Sequence, residues 1–541
     1  MAAEPWKVTL RDGGLAQEDF MKISVYDTTL RDGSQMEGIS FSVEDKIRIA
    51  RRLDAFGIDY IEGGWPGAVP KDTEFFTRMR EAPLERAKLC AFGSTRRAGG
   101  NVETDPFLAH LLAAETPVVT LVAKSSRWQV TDVLRTTLEE NLRMIAESVA
   151  YLKASGKEVI LDAEHFFDGW KLDREYTLAA LAAAVESGVD VLVPCDTNGG
   201  TMPHEVGEII GEVVARFPRT SIGMHPHDDG DCGTANAIAA VRAGANHVQG
   251  TINGFGERTG NANLIPIVAN LRLKLGYECL DEQAMGELTR LSHFVDEVAN
   301  MAPNPRAAYV GRNAFTHKAG LHVDGIAKHA SAYEHVEPDS VGNVRRLPVS
   351  EQSGTATIAQ KAALLGYSID KRSETARRVL DEVTRREHEG YSYEGAEASF
   401  ELLLKGATGD STHRFDLVGY RVLVEKRAND PEPITEATVR VRVDGVERLT
   451  VAEGDGPVHA LDGALRAALV DAYPHLRDIE LTDFKVRVVT AGEGTAARVR
   501  AIIESTDHQG TAWSTVGVST NIIEASWRAL VDAVEYGLRD S

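Results

Sequence analysis

The sequence predicts an α/β fold: a TIM (β/α)8 barrel, then a helical linker region, then a C-terminal α+β module. Three observations predict it. Eight β-rich runs alternate with helix-like segments between residues 23 and 270. Polar and ionisable side chains recur just after those runs, at the strand ends where barrels of this kind carry their active sites. Beyond residue 270 the pattern becomes mostly helical and then, from about Ser399, strand-rich. The chain has 541 residues, more than one hydrophobic core usually serves, so two or three domains are expected.

The runs are ISVYD from Ile23, IDYIEGG from Ile58, AKLCAFG from Ala87, PVVTLVA from Pro117, KEVILDA from Lys157, VDVLVPC from Val189, TSIGMHPH from Thr220 and HVQGTIN from His247. The first connecting segment, SVEDKIRIARRLDAFG, places Ile47, Ala50 and Leu53 at helical spacing. Ser42, three residues before Asp45, reads as its cap, and Gly57 as its stop. Such units fit a TIM barrel better than a doubly wound sheet. The domain limits read from the sequence are an N-terminal extension over 1–22, the barrel over 23–270, mostly helical linker subdomains over 271–398 and the last module over 399–541.

The linker is interrupted by a polar, His-rich loop, NAFTHKAGLHVDGIAKHASAYEH. In the last module TVRVRVDG and ERLTVAEG precede a helix at PVHALDGALRAALVDAY. DFKVRVVTAG, ARVRAIIESTD and TAWSTVGVS then precede a second helix at NIIEASWRALVDAVEYG, which suggests an internal repeat. EKRANDPEPITEA has the polar, Pro-containing composition of a mobile loop.

Composition narrows the function classes. Hydrophobic residues make up 43% of the chain, as in a globular protein, and 59 basic against 81 acidic residues give a formal charge of −22. That balance argues against nucleic-acid and anionic-membrane partners, which favour a basic face. Four cysteines, Cys90, Cys195, Cys232 and Cys279, show no CxxC spacing and read as reduced thiols. No apolar run suits a signal peptide or a membrane span, so a soluble cytoplasmic protein is expected.

On the expected rim lie Asp27 to Gly33 after strand one, Glu62 after strand two, Glu164 after strand five, Asp196 and Thr197 after strand six, and NGFGERTGNAN after strand eight. His225 and His227 of HPH are the strongest single signal, because side chains two apart on a strand share a face. With a carboxylate from Asp32 or Asp27 they suit a divalent cation and leave positions open for substrate. Two unrelated hydrogen-bonding histidines are the plainer alternative. Glu164 is a candidate acid or base, or one half of a solvated pair with His165. GFGERTG lacks the spacing and context of a phosphate loop.

YDTTLRDGSQMEG, HPHDDGDCGTANAIAAVRAGANHVQGTINGFGERTGNANL, FTHKAGLHVDG and the C-terminal module resemble the DRE-TIM metallolyase superfamily, in particular its 2-isopropylmalate and citramalate synthase branch. DYIEGGWPGAVPKD and DAEHFFDGW are similar to the citramalate synthase type. The resemblance implies condensation of pyruvate with acetyl-CoA on a route to isoleucine. It implies a divalent metal, Mg2+ or Mn2+ with Zn2+ also compatible, on Asp32, His225 and His227, with Asn261 as a further ligand. Arg31 looks like the electrophilic arginine, Thr197 the residue holding the keto-acid carboxylate, and Glu164, His322 and Tyr333 the proton-handling set, with His317 the competing histidine. A homodimer is implied, because the family's linker reaches over the partner's barrel. The module from Ser399 resembles a regulatory dimerisation domain, with isoleucine the expected effector and pure dimerisation the plainer role. One departure is Asp228, where relatives commonly have Asn; Asp231 adds a further carboxylate nearby. The competing readings are a 2-isopropylmalate synthase using 2-ketoisovalerate, a retro-aldol lyase of the same superfamily, and a catalytically inactive amino-acid sensor.

Overall fold

The computed structural model describes residues 22–409, 413–428, 432–490 and 494–539. The expected N-terminal extension, apart from Lys22, and residues 429–431 of the EKRANDPEPITEA loop lie outside the described residues. Two compact units divide the chain: one runs to Phe315 and includes His335–Val344, and the other holds Thr316–Glu334 and continues from Arg345.

The first unit is built on eight strands: β1 Ser24–Asp27, β2 Tyr60–Gly64, β3 Lys88–Ser94, β4 Val118–Lys124, β5 Glu158–Glu164, β6 Val191–Asp196, β7 Ser221–Pro226 and β8 His247–Gly250. They close into a barrel in chain order. All pairs are parallel, and β1 seals against β8 with Tyr26 opposite Gln249. Each expected run contains one strand. The first connecting helix spans Val43–Phe56; Ser42 and Asp45 exchange side-chain and backbone bonds at its start, and Gly57 ends it at φ 103°. Only glycine takes that left-handed stop without strain.

Alternation along the strands positions the site. One face packs outward on the helices through residues such as Val25, Leu121, Val159 and Leu192. The other turns inward, where Tyr26, Tyr60, Cys90, Val118, Ile160, Val191, Val193 and Cys195 form a small buried cluster. Two residues further along a strand this inner face changes character: Ile160 gives way to Asp162 and Glu164. Apolar side chains thus plug the barrel below its polar mouth.

The second unit contains two three-stranded antiparallel sheets. β9 Asp416–Glu425, β10 Ile434–Val443 and β11 Val446–Gly454 precede the helix Pro457–Leu469, and β12 Glu480–Val488, β13 Val499–Thr506 and β14 Ala512–Ser519 precede the helix Ile522–Gly537. The repeat expected from the sequence is therefore βββα twice. Its first strand, β9, was absent from the sequence reading, and most of its residues are exposed, leaving no buried stripe to mark it. The His-rich linker loop also differs from expectation, since Gly320–Lys328 within it is helical. Val349, Ile358, Val379, Val383 and Phe400 share a core with Val516 and Val518 of β14. Among the described residues no helix is long and apolar enough to cross a membrane.

Candidate active site

At the barrel mouth Asp32, from the turn after β1, meets His225 and His227 of β7. All three are buried, and their ligand atoms lie within 4.8 Å of one another. His225 Nε2 is 3.4 Å from Asp32 Oδ2, and the two imidazole rings are 5.3 Å apart. Burial lowers both histidines, but the Asp32 carboxylate outweighs it at His225, which rises to about 9. His227, where the neighbouring His225 acts in the same direction as burial, falls to about 4.

Of the two candidate carboxylates, Asp32 joins the histidines and Asp27 does not. Asp27 accepts from the Thr29 backbone N–H at 3.0 Å and the Thr29 hydroxyl at 2.8 Å, shaping the turn that presents Asp32. Burial pushes Asp27 up to about 7. Asn261 is bridged to His227 through the backbone. Its amide nitrogen donates to Phe255 O at 3.2 Å, while its Oδ1 and His227 Nδ1 are buried with no hydrogen-bond partner. Orphaned acceptors beside two imidazoles and a carboxylate are what a divalent cation would satisfy, so these residues fit a metal.

Arg31 lies alongside. Its Nε donates to Glu62 Oε1, its NH1 is 3.2 Å from Asp32 Oδ2, and its guanidinium sits 3.8 Å over the Phe92 ring. Burial alone would lower it, but Glu62 and then Asp32 hold it firmly protonated. Glu62 also accepts from the Tyr26 hydroxyl and, at 2.7 Å, from Thr28 Oγ1. The sequence placed Glu62 on the rim without a role; in the structure it anchors the arginine. Its inward position on β2 was the available signal.

Glu164, at the end of β5, is ion-paired with Lys124 of β4. Sequence reasoning missed this lysine. Thr197 Oγ1 accepts from the His165 backbone N–H at 2.8 Å, which leaves its own hydrogen available to donate. His165 itself adopts φ 55°, an unusual conformation for a non-glycine residue, and its ring meets Asp168 rather than Glu164. Asp196 is taken up by Thr201, whose N–H and hydroxyl both donate to it. A cavity of about 410 Å³ unites Arg31, Asp32, Glu164, Thr197, His225 and His227, with Trp65 and Phe92 on its apolar wall. Their rings meet edge to face at 5.4 Å, so Trp65 both packs and lines the cavity.

The extra carboxylates do not join the histidines. Asp228 Oδ1 accepts from Gly233 N at 2.6 Å, at the start of the helix Gly233–Arg242, and Asp231 is outside the metal-compatible group. The Cys195 thiol borders the cavity, but burial pushes it well up, away from thiolate chemistry.

His322 and Tyr333 belong to the second unit. Their rings stack at 4.1 Å and both are exposed. His317 differs: it is buried, with Nε2 3.2 Å from Glu334, which Arg345 also grips at 2.7 Å. The two histidines thus differ in burial and partners, His317 being buried against Glu334 and His322 exposed.

Residues 22–295 match the HMGL-like family, residues 309–389 the homocitrate synthase post-HMGL domain-like family, and residues 394–538 the LeuA allosteric (dimerisation) domain. The chain is 52% identical to an (R)-citramalate synthase of Aquifex aeolicus, over 96% of this chain and 98% of that one. It is 50% identical to an (R)-citramalate synthase of Geobacter sulfurreducens, with the same two coverages. A probable 2-isopropylmalate synthase of Methanopyrus kandleri is 32% identical, over 95% and 98%.

Proposed function

The chain belongs to the (R)-citramalate synthase family of acyl-transferring condensation enzymes, and from that membership we propose that it joins the acetyl group of acetyl-CoA to pyruvate, giving (R)-citramalate and free CoA. The observation that carries this reading is the convergence of Asp32, His225 and His227 beside Arg31 in one cavity.

Asp32, His225 and His227, with Asn261, are the residues that would hold a divalent cation. Such a cation supplies Lewis acidity toward the ketone of a bound α-keto acid. The chain's own groups do the rest. The Thr197 hydroxyl donates to the keto-acid carboxylate. Glu164 takes a proton from the acetyl methyl group; His322 and Tyr333 are the further members of the proton-handling set that the family resemblance implies. The resulting carbanion forms the new bond to the ketone carbon, and Arg31 donates to the oxygen as negative charge develops there. That oxygen then takes up a proton, and one water hydrolyses the thioester to release CoA. What supports His322 over His317 is exposure, since His317 is occupied by Glu334.

Pyruvate is favoured over a branched keto acid because Trp65 and Phe92 wall the cavity with bulk. The test is CoA release, followed with a thiol-trapping reagent, over a panel of keto acids with and without chelator. Release should be fastest with pyruvate, much slower with 2-ketoisovalerate, and abolished by chelation. Preference for 2-ketoisovalerate would instead make the chain an isopropylmalate synthase, and absence of release would favour the lyase or sensor reading.

A further inference from the structure

His225 is held from behind. On the ring edge away from Asp32, its Nδ1 lies 2.7 Å from Gln249 Oε1. The same amide group, through Nε2, donates to Asp162 Oδ1 at 3.1 Å, and Nε2 also lies 3.5 Å from His247 Nε2. Gln249, Asp162 and His225 are all buried. The three come from β8, β5 and β7, so only the closed barrel brings them together.

The chemistry of the chain has one consistent direction. The amide turns its N–H2 toward Asp162 and its oxygen toward the imidazole. The imidazole nitrogen facing that oxygen must then carry the hydrogen. His225 thereby carries a hydrogen on Nδ1, and Nε2, which faces Asp32, is the nitrogen left to bind a cation in place of its proton.

We propose that Gln249 and Asp162 are positioning residues, a carboxylate–amide relay that sets the tautomer and ring orientation of His225 for metal binding. The relay does the work that a carboxylate or backbone carbonyl commonly does directly behind a ligand histidine. The inference rests on the reading of Asp32, His225 and His227 as a cation site, and the experiment separates the two.

Full-length protein is stripped with chelator and titrated with Mn2+ by calorimetry, with folding checked by circular dichroism. His225→Ala tests the site: it should lose Mn2+ binding, and unchanged binding would overturn the cation reading itself. Gln249→Leu removes the acceptor at similar volume and should weaken Mn2+ by about 10- to 100-fold, the usual cost of losing such a partner. The double variant Gln249→Glu with Asp162→Asn keeps an acceptor on His225 Nδ1–H and reverses donor and acceptor only in the bond between positions 249 and 162. It should bind within a few-fold of the native protein. Native affinity in a folded Gln249→Leu variant, or affinity in the double variant as poor as in Gln249→Leu, would overturn the relay while leaving the site intact.

Discussion

Arg31 shows how one side chain's neighbours decide its chemistry. Glu62 and Asp32 hold it ionised and Phe92 fixes its plane, so it is preorganised to meet charge rather than to move toward it. Arg31→Ala should therefore lower kcat by about 10²-fold or more while leaving Mn2+ content unchanged. The same change strands Glu62 in the interior, at a cost of about 3 to 5 kcal/mol, so the assay is made on protein verified as folded. Near-native kcat in folded Arg31→Ala would make the arginine structural. His225 and His227 were legible in the sequence as a pair because HPH on a strand announces a shared face, whereas the DTTLRDG turn after a strand announces the mouth but leaves Asp27 and Asp32 as alternatives that only the family resemblance separates. Glu62 and Gln249 were not legible in these roles. Each is a single polar residue in a buried strand, and its partner is fixed only by which strands the closing barrel sets side by side.

Elements were legible where a local rule and the tertiary environment agree. The helix Val43–Phe56 has its cap, its stop and its apolar stripe all in place, and every barrel strand has one face on the helices. β9 lacks such agreement, and so does the helix Gly320–Lys328, whose polar sequence GLHVDGIAK buries only Val323 and Ile326. Glycine there reads locally as loop, while those two contacts suffice to hold a short helix. Packing also changes what a deletion does. A cut at Gly390 would remove Phe400, Val516 and Val518 from the core they share with Val379 and Val383. Each buried side chain of that size contributes roughly 1.5 to 3 kcal/mol, so the shortened chain should unfold its remaining linker helices well below the native melting temperature. Scanning calorimetry of the two proteins checks this; equal melting of that region would mean the linker folds independently of the last module.

At the scale of the whole molecule, the net charge of −22 leaves anionic substrates to be met by individual groups such as Arg31, not by a general basic field. The second unit leaves apolar side chains exposed on edge strands, among them Leu449 and Val451 of β11 and Val486 and Val488 of β12. Exposed apolar edges of this kind are usually covered by a partner. Light scattering should accordingly give the mass of two chains, and Leu449→Lys with Val451→Lys should shift it toward one; a native monomer would remove the dimer. The match of residues 394–538 to an allosteric domain motivates the remaining prediction, that isoleucine slows the condensation. An effector acts only through differential affinity for the states that bind substrate, and typical couplings are about 1 to 3 kcal/mol, a 5- to 150-fold effect. If inhibition works through pyruvate binding, linkage requires that pyruvate weaken isoleucine by the same factor by which isoleucine weakens pyruvate. Calorimetric titration of the full-length protein with isoleucine, with and without saturating pyruvate, measures one side, and pyruvate titration at fixed isoleucine measures the other. Equal factors above about fivefold support the coupling. Binding of isoleucine with no change in either affinity would move the inhibition to kcat, and no binding at all would leave the module to dimerisation alone.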